Sequence, residues 1–492
     1  MRTCLFPLLF IPGILLTACT VGPDFKRPDA PKIAAYTAHS MPDASASAPV
    51  AMGTTQHFSS TLSDTESWWT SFGSNQLNTL VEQALQASPT ITAARATLEQ
   101  AQQTYEAQAG STLLPKADLN LGAQRQVFND ALFGQSGTSK PFNLYNSNVA
   151  VSYLFDMFGG NRRALEAFVA QSDYQHDQLR AAQLTLAGNI ATTAMTQAAL
   201  YAQIEASQQI LALQQQEYHI AKQRQVLGAL TLVDVLPIKT QLEQTRASVL
   251  PLNLRLQQTS HLLAELAGKT PANFTTPHFT MAEFVLPDQL PWVVPSQLVR
   301  RRPDIQAAEA LLHAANAQYG VAIANTYPQI NLTANLGQEA LSTGSLFNAN
   351  SAIWSLAGQL TQPLFNGGLK AGVRAAKANL AIVDADYQQT VLQAFRNVAD
   401  ALRAVDNDAQ TLTAQAAAED ASHNSLDLTT EQFKLGSVNV LQLLTVQQQE
   451  AQTRINLIGA QMQRLTDTAA LYQAMGGAWV APATTTQTSS SH

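Results

Sequence analysis

The hydrophobic rhythm of the chain changes three times between Leu77 and Gly268, and it changes again in the same order between Gln297 and Gly476. From Leu77 to about Gly110, and from Gln297 to about Asn325, apolar residues fall at helical spacing. A proline follows two to five residues later, which predicts a helix and its stop. A period of two comes next. Ala117, Leu119, Leu121 and Ala123 interleave with Asp118, Asn120, Gly122 and Gln124; Tyr145, Val149, Val151, Tyr153 and Phe155 interleave with Asn146, Asn148 and Ser152. The second occurrence sets Ile330, Leu332, Ala334 and Leu336 against Asn331, Thr333 and Asn335, then Trp354, Leu356 and Leu360 against Ser355, Gln359 and Thr361. Strands are therefore expected at about 116–127, 144–156, 329–338 and 352–364. One apolar face and one uncharged polar face over roughly ten residues suit a tilted strand between lipid and water, and also a half-buried soluble sheet.

Paired glycines then introduce very long helices. From Asn161 to about Val226, Leu179, Leu186 and Leu200 share one heptad position, and Ile190, Ile204, Leu211 and Tyr218 share its partner. At 1.5 Å per residue this helix would measure roughly 100 Å. Gly228 turns the chain, and a second helix returns from about Val233 toward Gly268, with Pro237 and Pro251 expected to bend or break it. The plan repeats from Lys370 to Leu435, around Gly436, and from Val440 to Met475. Matching glycines and prolines lie about 208 positions apart late in the unit and about 213 early in it, the constancy expected of a duplication with small indels. The chain accordingly divides into a leader at 1–18, an N-terminal tether at 19–70, repeats at 71–275 and 276–480, and a disordered tail at 481–492.

Four strands cannot close a barrel, and an open strand edge cannot sit in hydrocarbon, where each unpaired amide costs several kcal/mol. If the strands span a membrane, the barrel must be shared among copies. Bacterial barrels begin at about eight strands and favour even totals, so two, three or more copies each satisfy the arithmetic.

The N-terminus argues for that setting. Arg2 precedes an apolar run from Leu5 to Leu16 and small residues ending in Cys19, the pattern of a secretory signal too short to form a stable membrane helix. Leu16-Thr17-Ala18-Cys19 resembles the lipobox of bacterial lipoproteins, in which the cysteine is acylated and becomes the new N-terminus. Thr20 in place of Asp after it favours, by the rule for such lipoproteins, passage to the outer membrane. Cys4 leaves with the leader, so Cys19 is the sole cysteine of the mature chain and no disulfide can form within it. From Thr20 to about Gln56 the sequence is rich in Pro, Ala, Ser and Thr without a period, and reads as an extended, loosely held tether. No later stretch holds eighteen uninterrupted apolar residues, so any bilayer crossing is made by strands.

Of the 492 residues, 46% are hydrophobic and only 13% charged, well below the roughly 25% of a typical soluble domain, as expected of a surface buried against other chains or lipid. The net charge of −7, without basic runs, argues against nucleic acid as a partner.

The combination resembles the outer membrane factor family, the TolC-like and NodT-like channels of tripartite efflux pumps. The likeness is carried by the segment Cys19-Thr20-Val21-Gly22-Pro23-Asp24-Phe25-Lys26-Arg27-Pro28, by Trp68-Trp69-Thr70-Ser71-Phe72, and by Arg301-Arg302-Pro303-Asp304-Ile305 with Ala307-Ala308-Glu309. With the duplication, it extends over nearly the whole mature chain. The resemblance implies a mainly α fold with a membrane β-barrel contribution: a homotrimer with a shared twelve-stranded barrel, four strands per protomer, and an α-barrel tunnel across the periplasm. The implied partners are a periplasmic adaptor, an inner-membrane pump and outer-membrane lipid. No cofactor is implied beyond a covalent lipid on Cys19.

Such tunnels close near the turns of the long hairpins, here at Gly228 and Gly436. The positions matching the family's acidic rings are Gln442 and Thr445, with Leu441 as an apolar constriction candidate. The acidic rings are thus missing. Asp234 matches a position that accepts a polar link, but its usual tyrosine and arginine partners align with Phe433 and Val438. A gate of Leu and Gln would resist ions by size and dewetting more than by charge. Leu441 and Leu444 are equally compatible with plain coiled-coil packing.

Enzyme readings find no support. There is no Gly-x-Ser-x-Gly elbow, phosphate-binding glycine loop, dinucleotide turn or His-Glu-x-x-His pair. His219 and His261 stand singly on helical stretches, and Asp384 and Asp386, two apart on a helix, do not face one substrate. No metal site is expected. Two rivals to an efflux duct remain, the channel of a protein-secretion exporter and a lipid-anchored coiled-coil scaffold without a pore.

Overall fold

A computed structural model describes residues 20–33, 35–38, 41–59, 67–127 and 140–477. The leader, Cys19 and the polar tail after residue 477 lie outside the described residues. The chain forms two compact units, one of residues up to Arg27 with Glu99–Tyr174 and Glu309–Asp386, the other of Pro28–Leu98, Gln175–Ala308 and the chain from Tyr387 onward.

The elements in order are β1 (His57–Ser59), α1 (Asn75–Ala87), α2 (Pro89–Leu113), β2 (Lys116–Gln126), β3 (Phe142–Phe155), α3 (Gly160–Val226) and α4 (Leu232–Leu266). After them come β4 (Gln289–Pro291), α5 (Pro295–Arg301), α6 (Pro303–Ala324), β5 (Gln329–Ala340), β6 (Ala352–Thr361), α7 (Gly367–Lys434) and α8 (Val440–Ala474). The two runs repeat helix, strand, strand and long helical hairpin. No helix among the described residues is long and apolar enough to cross a membrane.

Four expectations need correction. The opening helix of each repeat is two helices: Ser88 and Arg302, each preceding a proline, adopt extended ψ angles of 128° and 125°. The ring of the following proline disfavours helical backbone at these residues and breaks the run. Conversely, of the bend or break expected at Pro237 and Pro251, the break does not occur: α4 runs on through both. Each proline removes one helical hydrogen bond, and buried Val235, Ile238, Leu242 and Val249 hold the helix across both sites. The last strand stops at Thr361 rather than 364, because Pro363 lacks the N–H to continue a ladder. Lastly, the N-terminal segment is extended but not loosely held.

Its fastenings are specific. In the first unit Val21 N–H donates to the Phe158 carbonyl, Asn316 Nδ2 donates to the Pro23 carbonyl at 2.9 Å, and the Phe25 ring stacks on His313 at 4.3 Å. Buried Arg163 donates to Asp24 Oδ1 at 2.5 Å and to Glu166 Oε2 at 2.7 Å. Gly22 has φ 90°, and a Cβ there would stand 2.8 Å from the Gly320 Cα, so this position needs glycine twice over.

In the second unit the strap from Ser45 to Gln56 is laid along α8. Arg464, fully buried, donates to the carbonyls of Met52 and Thr54 at 2.8 Å each and to Ser45 Oγ at 2.9 Å. Gln56 is buried and donates to the Pro287 carbonyl at 3.0 Å. Apolar composition was a poor guide to attachment here, because what fixes the segment is its backbone carbonyls.

The core of the second unit gathers Trp68, Trp69 and Phe72 with residues of α1, α3, α7 and α8. The Trp68 indole stacks on Tyr472 at 5.7 Å. The tryptophans expected at the end of the tether are therefore core residues on a 3₁₀ turn, Trp68–Phe72. Arg302 is likewise structural, donating to the Ala474 carbonyl at 2.9 Å and, through Nη2, to Asp304 Oδ2 at 2.6 Å.

Candidate functional site

The first unit carries one four-stranded antiparallel sheet in the order β2-β3-β5-β6. Its two hairpins are joined by the β3–β5 pairing, a link that alternation within single strands could not reveal. Register aligns the apolar positions into rows: Leu119, Val149, Leu336 and Trp354 are successive partners, as are Ala117, Val151, Ala334 and Leu356. Side chains two apart share a face, so Tyr153, Leu332, Phe155, Ile330 and Leu360 extend the same surface. That surface is open: Leu119 and Leu336 are each 68% exposed, Leu356 76% and Trp354 78%. The opposite face is a polar ladder, in which Asn148 Nδ2 donates to Asn335 Oδ1 at 3.4 Å and Asn335 Nδ2 to Ser355 Oγ at 3.3 Å.

Moving a Leu or Phe side chain from water to hydrocarbon gains about 1.5–3 kcal/mol. A dozen such residues on one face make water the wrong solvent for it. Hydrocarbon is the right one only if the sheet's outer strands are paired, and among the described residues β2 and β6 each have a single neighbour. Apolar outside, polar inside and open at both edges, the sheet is one sector of a shared barrel.

The second unit holds the turns of both long hairpins, at Gly228 and Gly436, with φ of 75° and 74°. Neither meets any atom where a Cβ would stand, so it is the left-handed backbone alone that favours glycine. Near the turns, Ala221 of α3, Val235 and Ile238 of α4 and Leu444 of α8 make a small buried cluster, with Tyr218, Leu230 and Val440 packed on it. Beside it Gln447 Nε2 donates to Glu217 Oε1 at 2.5 Å, and burial raises the Glu217 carboxyl above the usual range against that hydrogen bond.

The predicted gate residues divide on this geometry. Leu444 is core, whereas Leu441 is 52% exposed, with Gln442 and Thr445 exposed beside it. Thr445 Oγ1 donates to the Leu441 carbonyl at 2.9 Å, which ties its hydroxyl to its own helix. Phe433 is partly buried. Asp234 is engaged within its own helix start: its Oδ2 accepts from the Thr231 backbone N–H at 2.9 Å and from the Thr231 hydroxyl at 2.7 Å, which hold its carboxyl below the usual range. This is a capping arrangement, legible as Thr-x-x-Asp before a helix. Sequence reasoning passed over Glu217, Gln447 and Arg464. The last of these had a signal, since it stands seven residues from Leu457 and from Leu471 on a helix whose core positions are otherwise mostly apolar.

An exposed lipid-compatible sheet with unpaired edges and two long antiparallel hairpins define one protomer of an outer-membrane channel with a helical extension. The sequence pattern of the outer membrane efflux protein family matches residues 80–269 and 294–477, and the chain belongs to that family. A toluene efflux pump outer membrane protein, TtgC of Pseudomonas putida, is 28% identical over 478 residues, 96% of this chain and 95% of its own. The cation efflux system protein CusC of Escherichia coli is 28% identical over 493 residues, covering 96% and 98%. The solved structure of the outer-membrane channel OprN superposes with a TM-score of 0.83 at 25% identity, over 93% of this chain and 99% of the other.

The protein is thus the outer-membrane exit duct of a tripartite efflux system, with the family's helical tunnel in the periplasm. Channels of this family are trimeric, work with adaptor proteins and inner-membrane pumps, and are not enzymes. The scaffold reading without a pore falls away.

Proposed function

We propose that this chain is a passive, non-catalytic conduit for small solutes, anchored by an acyl chain on Cys19 and narrowed at its hairpin turns by Leu441, Gln442 and Thr445. The observation that carries the membrane reading is the exposed row Leu119, Val149, Leu336 and Trp354 on a sheet with two unpaired edges. Three such sheets make twelve strands, an even total with every edge amide paired. Energy comes from the partner pump, since the chain offers no catalytic constellation.

The names of the relatives, a toluene pump and a cation system, favour small solutes over secreted proteins. A wall of Gln, Asn and Ser would sort them by little beyond size. The narrowing reading rests on Leu441, Gln442 and Thr445 being exposed beside a turn while Leu444 is packed away. Without an acidic ring, block by multivalent cations is weak. Single-channel conductance of purified trimers in planar bilayers tests both statements. Leu441→Ser and Gln442→Ser should each raise leak conductance severalfold, and no change in either removes these residues from the constriction. Absence of any conductance by the wild-type trimer and by both variants would remove the conduit itself.

A further inference from the structure

On α8 one heptad position reads Leu443, Glu450, Leu457, Arg464, Leu471, and all five side chains are buried. The two charges interrupt a leucine seam and have opposite fates. Arg464 is paired by the carbonyls of the strap. Glu450 is 4% exposed, and among the described residues no hydrogen bond holds its carboxylate, which Arg454 attracts and Glu419 repels. It is turned toward α7, where Glu419 and His423, four residues apart, present a carboxylate oxygen and a ring nitrogen on one helical face. One ligand atom from each of the three residues lies within 4.8 Å of the other two. Asp427 Oδ2 stands 3.7 Å from His423 Nε2, within ion-pair but not hydrogen-bond reach.

We propose that Glu419, His423 and Glu450 bind one divalent transition-metal cation of the Zn(II) class, bridging α7 and α8 inside the second hairpin. An imidazole with two carboxylates is a borderline donor set that suits Zn(II), Co(II) and their neighbours more than Ca(II), which takes six or more oxygens. Metal–ligand bonds of about 2.1 Å hold tetrahedral ligands about 3.4 Å apart, so the three side chains need draw together by little more than an ångström. A largely buried carboxylate without a hydrogen bond, facing another carboxylate, is disfavoured, and a cation supplies charge and bonds together. Burial lifts the Glu450 carboxyl above its usual range; Glu419 and Asp427 push the same way, and Arg454 and His423 oppose. The individual histidines are far apart in sequence, which is why the cluster is invisible there: the third ligand arrives across the hairpin from Gly436.

The test uses the untagged full chain as the detergent-solubilised trimer, stripped with chelator and titrated with Zn(II) by calorimetry and with Co(II) by visible absorption. One equivalent per protomer is expected, with a Co(II) d–d band and a rise in Tm on adding Zn(II). Glu450→Gln and His423→Gln should each weaken binding at least about tenfold and abolish the Tm rise, while exposed Asp400→Asn changes neither. His423 is largely exposed, so its variant decides the matter if the buried one fails to fold. A wild-type trimer that takes up no Zn(II) at micromolar concentration overturns the proposal, and so do His423→Gln trimers that bind as wild type does. Both readouts are independent of conduction, so either result leaves the duct reading untouched.

Discussion

Replacing Arg464 by Met tests whether the N-terminal strap is held by carbonyls rather than by apolar packing. Methionine has nearly the volume of the arginine stem and keeps the seam filled, but it removes the donors to Met52, Thr54 and Ser45 at 2.8 to 2.9 Å, and a longer one to Ala46 at 3.3 Å. Each short bond from a charged donor contributes roughly 1.5 kcal/mol net, so the three together contribute about 4 kcal/mol. The carbonyls can recover water only by lifting the strap, which makes local opening the cheapest response. A loss of about 4 kcal/mol multiplies the opening equilibrium roughly a thousandfold. Hydrogen exchange followed by mass spectrometry reads this directly at the Ser45 and Gln56 amides, which are bonded to the Gln56 carbonyl and the Ser45 hydroxyl at 2.9 Å. Exchange there should accelerate by at least about a hundredfold, with Leu186–Ala199 of α3 unchanged. Protection of both amides within about threefold of wild type would refute the reasoning, because it would mean that the packing of Ala48, Val50 and Met52 against α7 and α8 suffices.

Asp408 gives a pH signature: burial first, then the neighbouring Asp467 carboxyl, push its carboxyl from 3.8 up to about 7, against Arg464. A carboxyl that holds its proton more tightly when folded stabilises the fold most below about pH 4, and that contribution is lost as pH rises toward 7. Asp408→Asn should therefore raise Tm relative to wild type at pH 8 and not at pH 4. The half-exposed setting reduces the nominal shift to about 1–2 kcal/mol, and equal Tm differences at the two pH values would sink the assignment. On the sheet, Leu356→Arg should cost about 2–4 kcal/mol of membrane insertion and cut the trimer recovered from outer-membrane fractions, while Ser355→Arg on the polar face spares it; equal yields would contradict the facing. Finally, Cys19→Ala should abolish labelling by a palmitate analogue, and retained label would remove the lipid anchor.

The strands were legible because a half-exposed sheet leaves its period in the sequence: Leu119, Leu121, Val149, Val151, Leu336 and Trp354 alternate with polar neighbours whatever lies beyond them. The long helices were legible for a similar reason, since a heptad survives over many turns. What stayed hidden depends on residues that meet from far apart. The break at Arg302 has a local cause in Pro303, yet the buried role of Arg302 comes from the Ala474 carbonyl, 172 positions away. The strap looked unstructured because Ala, Ser and Thr carry no apolar rhythm, while its fastening is Arg464, 412 residues beyond Met52.

The same logic gives the charged core positions of α8 a common meaning. A coiled seam of leucines has no use for a charge unless something outside the helix pair completes it, because the cost of burial is too large to be carried idly. At Arg464 the completing group is in the chain, a run of carbonyls that no other residue could satisfy so well, since guanidinium donates in several directions at once. At Glu450 the sign is reversed: Arg454 attracts the carboxylate without a hydrogen bond, and the groups facing it from α7, Glu419 and His423, are acceptors or can become so. Backbone carbonyls cannot complete such a group, and a cation can. Two interruptions of one heptad line, fourteen residues apart, thus mark two attachments of opposite charge, one to the strap and one to a metal ion.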